Sequence, residues 1–143
     1  MNLLKSIKRS LFSSNGEEIY YRLITKNRLS VPTDWGGHAP AWQNVKKALN
    51  DDNPDFGLIS AWSILEDEVI SKYPKNIRKI GDRRNQSICE ISSEKLNYNY
   101  SQKKILVSAM ENRNKVAHGR GSIVRWDAVD HILNTAYKIY RID

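Results

Sequence analysis

Apolar residues recur at helical spacing along most of the chain, and strand-like alternation is scarce. Leu3, Leu4, Ile7 and Leu11 predict a short N-terminal helix. Glu17 to Leu29 predicts a second, with acids at its start and bases at its end, as the helix dipole favours. "VPTDWGGHAPAW", Val31 to Trp42, carries two prolines and Gly36-Gly37 and predicts a loop. "AWQNVKKALN" then predicts a short helix ending near Asn50. The clearest helix follows: Asp52 or Asn53 can cap it, Pro54 suits its first turn, and Pro74 ends it. Its stripe is Leu58, Trp62, Leu65, Val69 and Tyr73. Lys75 to Gln102 is less regular and predicts a short helical piece followed by a loop. A further helix runs from Gln102 or Lys103 to His118, closed by Gly119. The last spans about Trp126 to Tyr140, with Trp126, Val129, Leu133, Ala136, Tyr137 and Tyr140 facing inward. The expected architecture is an all-α, single-domain helical bundle over 1–143, with 1–50 as an N-terminal helical extension and 55–142 as its core.

Two residues break this pattern. At roughly 100° per residue, Arg113 falls within the arc of Ile105, Leu106, Ala109, Met110, Val116 and Ala117. Arginine is rarely buried without a partner. Glu66 falls among Trp62, Val69, Ile70 and Tyr73, while Asp67 and Glu68 lie off that arc. Two opposite charges in two apolar faces predict that Glu66 and Arg113 meet; a buried structural ion pair is the bland reading, and holding the guanidinium in one orientation is the better use of such a contact. Glu111, Asn114 and His118 share a separate, polar face.

Composition narrows the chemistry. The 143 residues carry a net charge of +7, which favours an anionic partner. A single cysteine, Cys89, excludes an internal disulfide and disfavours a cysteine zinc site. Three histidines without useful spacing argue against any bound metal, and no phosphate-cradling glycine loop or other cofactor motif is present. Lys5, Lys8 and Arg9 interrupt the N-terminal apolar residues, so neither a signal peptide nor a membrane span is expected, and a cytoplasmic location fits. Arg78, Lys79, Arg83 and Arg84 form a basic cluster, and Arg120 and Arg125 flank the Arg113 helix end. All six are candidate RNA-backbone contacts, with a solvated basic face as the competing reading. Trp35 and His38, or Tyr98 and Tyr100, are candidate base-stacking residues. A tryptophan packing its loop onto the core explains Trp35 equally simply. His131 is expected on the surface.

Arg, Asn and His within two turns are types that RNA cleavage needs. Imidazole moves protons near neutral pH, and a planar guanidinium stabilises charge on phosphate oxygens. The stretch "RNKVAHG", Arg113 to Gly119, resembles the signature of HEPN domains (higher eukaryotes and prokaryotes nucleotide-binding), in which Arg precedes His by four to six intervening residues and Asn often follows the Arg. The resemblance covers roughly Phe56 to Tyr140. It implies a dimer that joins two motifs in one cleft. It also implies a metal-independent endoribonuclease, leaving a 2′,3′-cyclic phosphate and acting as a toxin or antiviral defence effector, with an antitoxin or companion defence protein as a further partner. Arg113 would contact the scissile phosphate, His118 would act as base or acid, and Asn114 would position one of them, with Glu66 and Glu111 in support. Arg120 stands where some relatives carry a modified tyrosine. The alternative is a non-catalytic HEPN module that binds nucleic acid or a protein.

Overall fold

The computed structural model describes residues 28–77, 82–121 and 123–143. The helices expected around Leu3–Leu11 and Glu17–Leu29 therefore fall wholly or almost wholly outside the described residues, as do Arg78 and Lys79. Among the described residues the chain is all-helical: α1 (Ala39–Asn50), α2 (Pro54–Lys72), a 3-10 turn (Pro74–Asn76), α3 (Asp82–Lys95), α4 (Tyr100–Ala117) and α5 (Trp126–Tyr140). No helix among the described residues is long and apolar enough to cross a membrane.

The corner between α1 and α2 is set by three residues. Asp52 adopts a left-handed conformation at φ 50°, and the Asn53 N–H donates to the Ala48 carbonyl at 2.8 Å, which closes α1. The Asn53 side chain then accepts from Phe56 N–H and starts α2, with Pro54 where a missing N–H costs nothing. Asp52 also takes the Trp126 indole at 3.0 Å and Arg28 at 3.3 Å, tying this corner to the start of α5.

α2 is the hub. It packs most extensively on α5 and α1 and also meets α3 and α4. Leu58, Ala61, Trp62, Ile64, Leu65 and Val69 are all essentially buried, so it is covered on more sides than the single stripe in its sequence implies. One core runs from Leu29 through α1 to Ile139, taking in residues well ahead of position 50. Trp42, Val45 and Ala48 of α1 are fully buried within it. In α5 the buried set is Trp126, Val129, Ile132, Leu133, Thr135, Ala136 and Ile139, whereas Tyr140 is 43% exposed.

Two boundaries differ from expectation. The segment read as a short helical piece and loop is the 14-residue α3, which continues through Ser92, Ser93 and Glu94. Its serines face inward and are buried, so a stretch that looks polar in sequence is a packed helix face. α4 starts at Tyr100, two residues early, because Asn99 and Gln102 form a reciprocal capping box.

Lys72 ends α2 by reaching the C-terminal carbonyls of α5. Its ammonium donates to Ile139 at 2.5 Å, to Tyr140 at 2.9 Å and to Ile142. A cation there satisfies carbonyls that the helix leaves open and complements its dipole. Lys72→Met keeps most of the stem and removes the donors. It is expected to cost about 1.5–3 kcal/mol, with amide hydrogen exchange rising first in the last turn of α5.

Candidate functional site

α4 carries the motif, and its buried stripe of Leu106, Ala109 and Met110 stops before the motif begins. Ile105 is 46% exposed and Ala117 is exposed, so the apolar arc is narrower than its sequence suggests. The last two turns stand at the edge of the core. The helix ends in a full left-handed cap: Gly119 has φ 69°, its N–H donates to Val116, and the Arg120 N–H donates to Lys115 at 2.8 Å. His118 occupies the C-cap position and is exposed. Asn114 is half-buried, and Glu111, Arg120 and Arg125 are exposed.

Glu66 does not meet Arg113. Its carboxylate takes Arg84 at 2.6 Å. The reason is α3: as a full helix in contact with both α2 and α4, it presents Arg84 on its first turn to Glu66. Arg84 is accordingly engaged in an ion pair although it is itself exposed, as is Arg83.

Arg113 remains half-buried and, among the described residues, forms no salt bridge. One terminal nitrogen, Nη1, donates to Asn114 Oδ1 at 3.2 Å, while its Nε is buried without a hydrogen-bond partner. Asn114 Oδ1 also accepts from Asn85 Nδ2 at 3.1 Å, and Asn85 Oδ1 accepts from the Trp62 indole at 3.3 Å. Residues from α2, α3 and α4 thus meet at the motif. Asn85 and Trp62 were not singled out for this in the sequence, because the contact depends on α3 being a helix.

Arg113 and His118 lie five residues apart on a helix that stays regular to Ala117. At 3.6 residues per turn they diverge by about 140° around the axis. A single motif therefore does not close an Arg–His site.

The aromatic candidates divide. Trp35 is buried, with its ring against Trp42, Tyr137 and Tyr140, so it packs its loop. His38 Nε2 lies 2.6 Å from Glu68 Oε1, and Glu68 is only 7% exposed. Glu68 is thus the deeply buried acid of α2, which the wheel placed off the apolar arc. A glycine is required beside this pair: Gly36 has φ 67°, and a Cβ there would meet the His38 ring at 3.0 Å. Tyr98 bonds Thr135, and Tyr100 is 81% exposed.

A groove of about 740 Å³ lies between α4 and α5, lined by Ile105, Asn112, Ile123, Arg125, His131 and Lys138 among others. His131 is not a plain surface residue. It packs beside Tyr98, and burial lowers its pKa below the ordinary 6.5, with the Gln102 carbonyl opposing. The unfolded state therefore binds the proton more readily. This stability is complete above pH 6.5 and is lost as pH falls towards the lower folded value. His131→Phe is expected to flatten the acid limb of a melting-temperature profile below pH 6.5, which circular dichroism would register.

Cys89 is buried, and burial pushes its thiol up to about 12, so it stays protonated and unreactive at neutral pH. No group of histidine, cysteine and acidic residues suited to a metal ion occurs among the described residues. Compared with known proteins, the chain matches no family model, no curated protein and no solved structure.

Proposed function

We propose that the chain is a metal-independent endoribonuclease of HEPN type, with Arg113, Asn114 and His118 as its working residues. The observation that carries this is the state of Arg113: a half-buried guanidinium with an orphaned Nε and no carboxylate counter-ion among the described residues. Such a charge is costly until an anion meets it. A phosphodiester supplies that anion, and the net charge of +7 draws it in. His118 stands exposed at the end of the same helix, open to a substrate.

In the proposed reaction His118 takes the proton of a ribose 2′-OH. The 2′-oxygen attacks phosphorus, the bond to O5′ breaks, and O5′ gains a proton. The products are a 2′,3′-cyclic phosphate and a 5′-hydroxyl. Arg113 holds the non-bridging oxygens as charge builds on them. Because the two motif residues diverge around α4, the site is composite: two copies of the chain each supply part of it. Exposed Ile105 and Ile123, beside the α4–α5 groove, are apolar surface that a second copy can cover. Exposed Arg120, Arg125 and Arg83 extend the positive surface for RNA. A toxin or defence role in the cytoplasm, opposed by an antitoxin or companion protein, accords with such an activity.

The test is incubation of single-stranded RNA with the protein in excess EDTA, followed by analysis of the product ends. Cleavage to cyclic-phosphate ends supports the reading. RNA that is bound but left intact favours a non-catalytic binding module instead, and no interaction with RNA defeats both.

A further inference from the structure

The hydrogen bonds behind the motif have a fixed direction. An indole N–H can only donate. Asn85 must therefore turn its carbonyl oxygen to Trp62 and its amide nitrogen to Asn114. Asn114 must then answer with its oxygen. Arg113, which also only donates, reaches that same oxygen. The orientation of both amides follows from the chemistry of the two ends, Trp62 and Arg113. With its oxygen engaged twice, Asn114 has its amide N–H pair left over, and that pair has no partner among the described residues. The relay ends in donors: the Asn114 amide and the second terminal nitrogen of Arg113, Nη2.

We propose that Asn85, held by the Trp62 indole, is a positioning residue that sets Asn114 and Arg113 as a donor-only pole for a phosphodiester oxygen. The inference rests on the RNA-cleavage reading and adds to it a residue on each of two other helices. Trp62 is 1% exposed, so its N–H is a rigid anchor rather than an adaptable one. Asn85 spans α3 to both neighbours, so the relay also fixes the register of α3 against the motif helix. If the direction of Asn85 is reversed, Asn114 must turn its amide nitrogen inward. Its oxygen then faces the phosphate, an acceptor against an anion.

Asn85→Asp makes that reversal, since a carboxylate accepts from both Trp62 and Asn114. Trp62→Phe keeps the ring and removes only the anchor. Both are tested with an RNA oligonucleotide whose 2′-positions are methylated, so that it binds without being cut. The side-chain amide signals of Asn85 and Asn114 are followed by ¹H–¹⁵N NMR, and thermal melts verify folding. Asn85→Asp is expected to weaken binding about ten-fold or more, and Trp62→Phe to weaken it less, each with a displaced Asn114 amide signal. In an Asn114→Ala background, Asn85→Ala is expected to add little further loss, because the two act in one chain. Unchanged binding in Asn85→Asp, alongside lost binding in Arg113→Ala, overturns the positioning role and leaves the cleavage reading standing. Absence of binding by the unaltered protein overturns the cleavage reading, and the positioning role falls with it. Additive losses from Asn85 and Asn114 also overturn the relay.

Discussion

His118→Ala is expected to lower RNA cleavage by about 10²–10⁴-fold, the usual contribution of a positioned acid or base. Folding should be unaffected, since the side chain is exposed at the C-cap. Arg113→Ala should reduce cleavage by at least about 10²-fold, through loss of the cation facing the developing charge. Its effect on stability separates it from an ordinary half-buried residue. Arg113 holds a buried Nε with no partner, so truncation removes an unsatisfied donor along with some packing. The melting temperature is therefore expected to stay level or rise. A large loss of stability in Arg113→Ala with cleavage retained would make the residue structural, and cleavage surviving His118→Ala would remove the proposed chemistry. Arg113→Lys should recover little, because an ammonium lacks the planar fork that meets two oxygens together.

Trp42→Ala is expected to be the most damaging single change outside the motif, costing roughly 3–5 kcal/mol. Trp42 is fully buried at the start of α1, and its indole donates to the Trp35 carbonyl at 3.1 Å. Truncation leaves a large cavity, strips that buried carbonyl of its partner, and frees Trp35 from its edge-on contact at 5.5 Å. The loop carrying His38 would then lose its seat on α2. For a domain of this size the melting temperature should fall by about 10–15 °C. Trp42→Phe separates the two contributions, since it keeps most of the packing and loses only the donor. A fall of only a few degrees in Trp42→Ala would mean that the loop and α1 are not part of the cooperative unit.

Two helices were legible in the sequence from different signals, α2 from its cap and α5 from its apolar stripe. Asn53 and Pro54 marked the start of α2, and the stripe of α5 marked the last helix within a residue or two. α3 was read only as a short helical piece because its buried face is made of Ser87, Ser92 and Ser93 beside Ile88, Cys89 and Ile91, which lowers the apolar contrast that periodicity detects. That one shortening propagated. Without the full length of α3, Glu66 had Arg113 as its natural partner; with it, Glu66 takes Arg84, and Arg113 is left facing Asn114. Glu68 was misplaced for a related reason. A wheel assigns a single inner face, but α2 is covered by α1, α5 and the loop of residues 31–38 on different sides. Its acid is buried against a histidine thirty residues away in sequence. Arg113, Asn114 and His118 were visible because they sit on one helix, whereas Asn85 and Trp62 join them only through tertiary packing.

The central position of α2 also bears on the order in which the protein can be assembled. Among the described residues its most extensive contact is with α5, which follows it by three helices, whereas α1 and the loop of residues 31–38 precede it in the chain. During synthesis the α5 side of α2 therefore waits uncovered while α3 and α4 are added. A nascent chain in that state presents Leu58, Leu65 and Val69 to whatever is near, which is the circumstance in which chaperones bind or neighbouring chains stick together. The arrival of α5, more than any local signal within α2, completes the burial of that face.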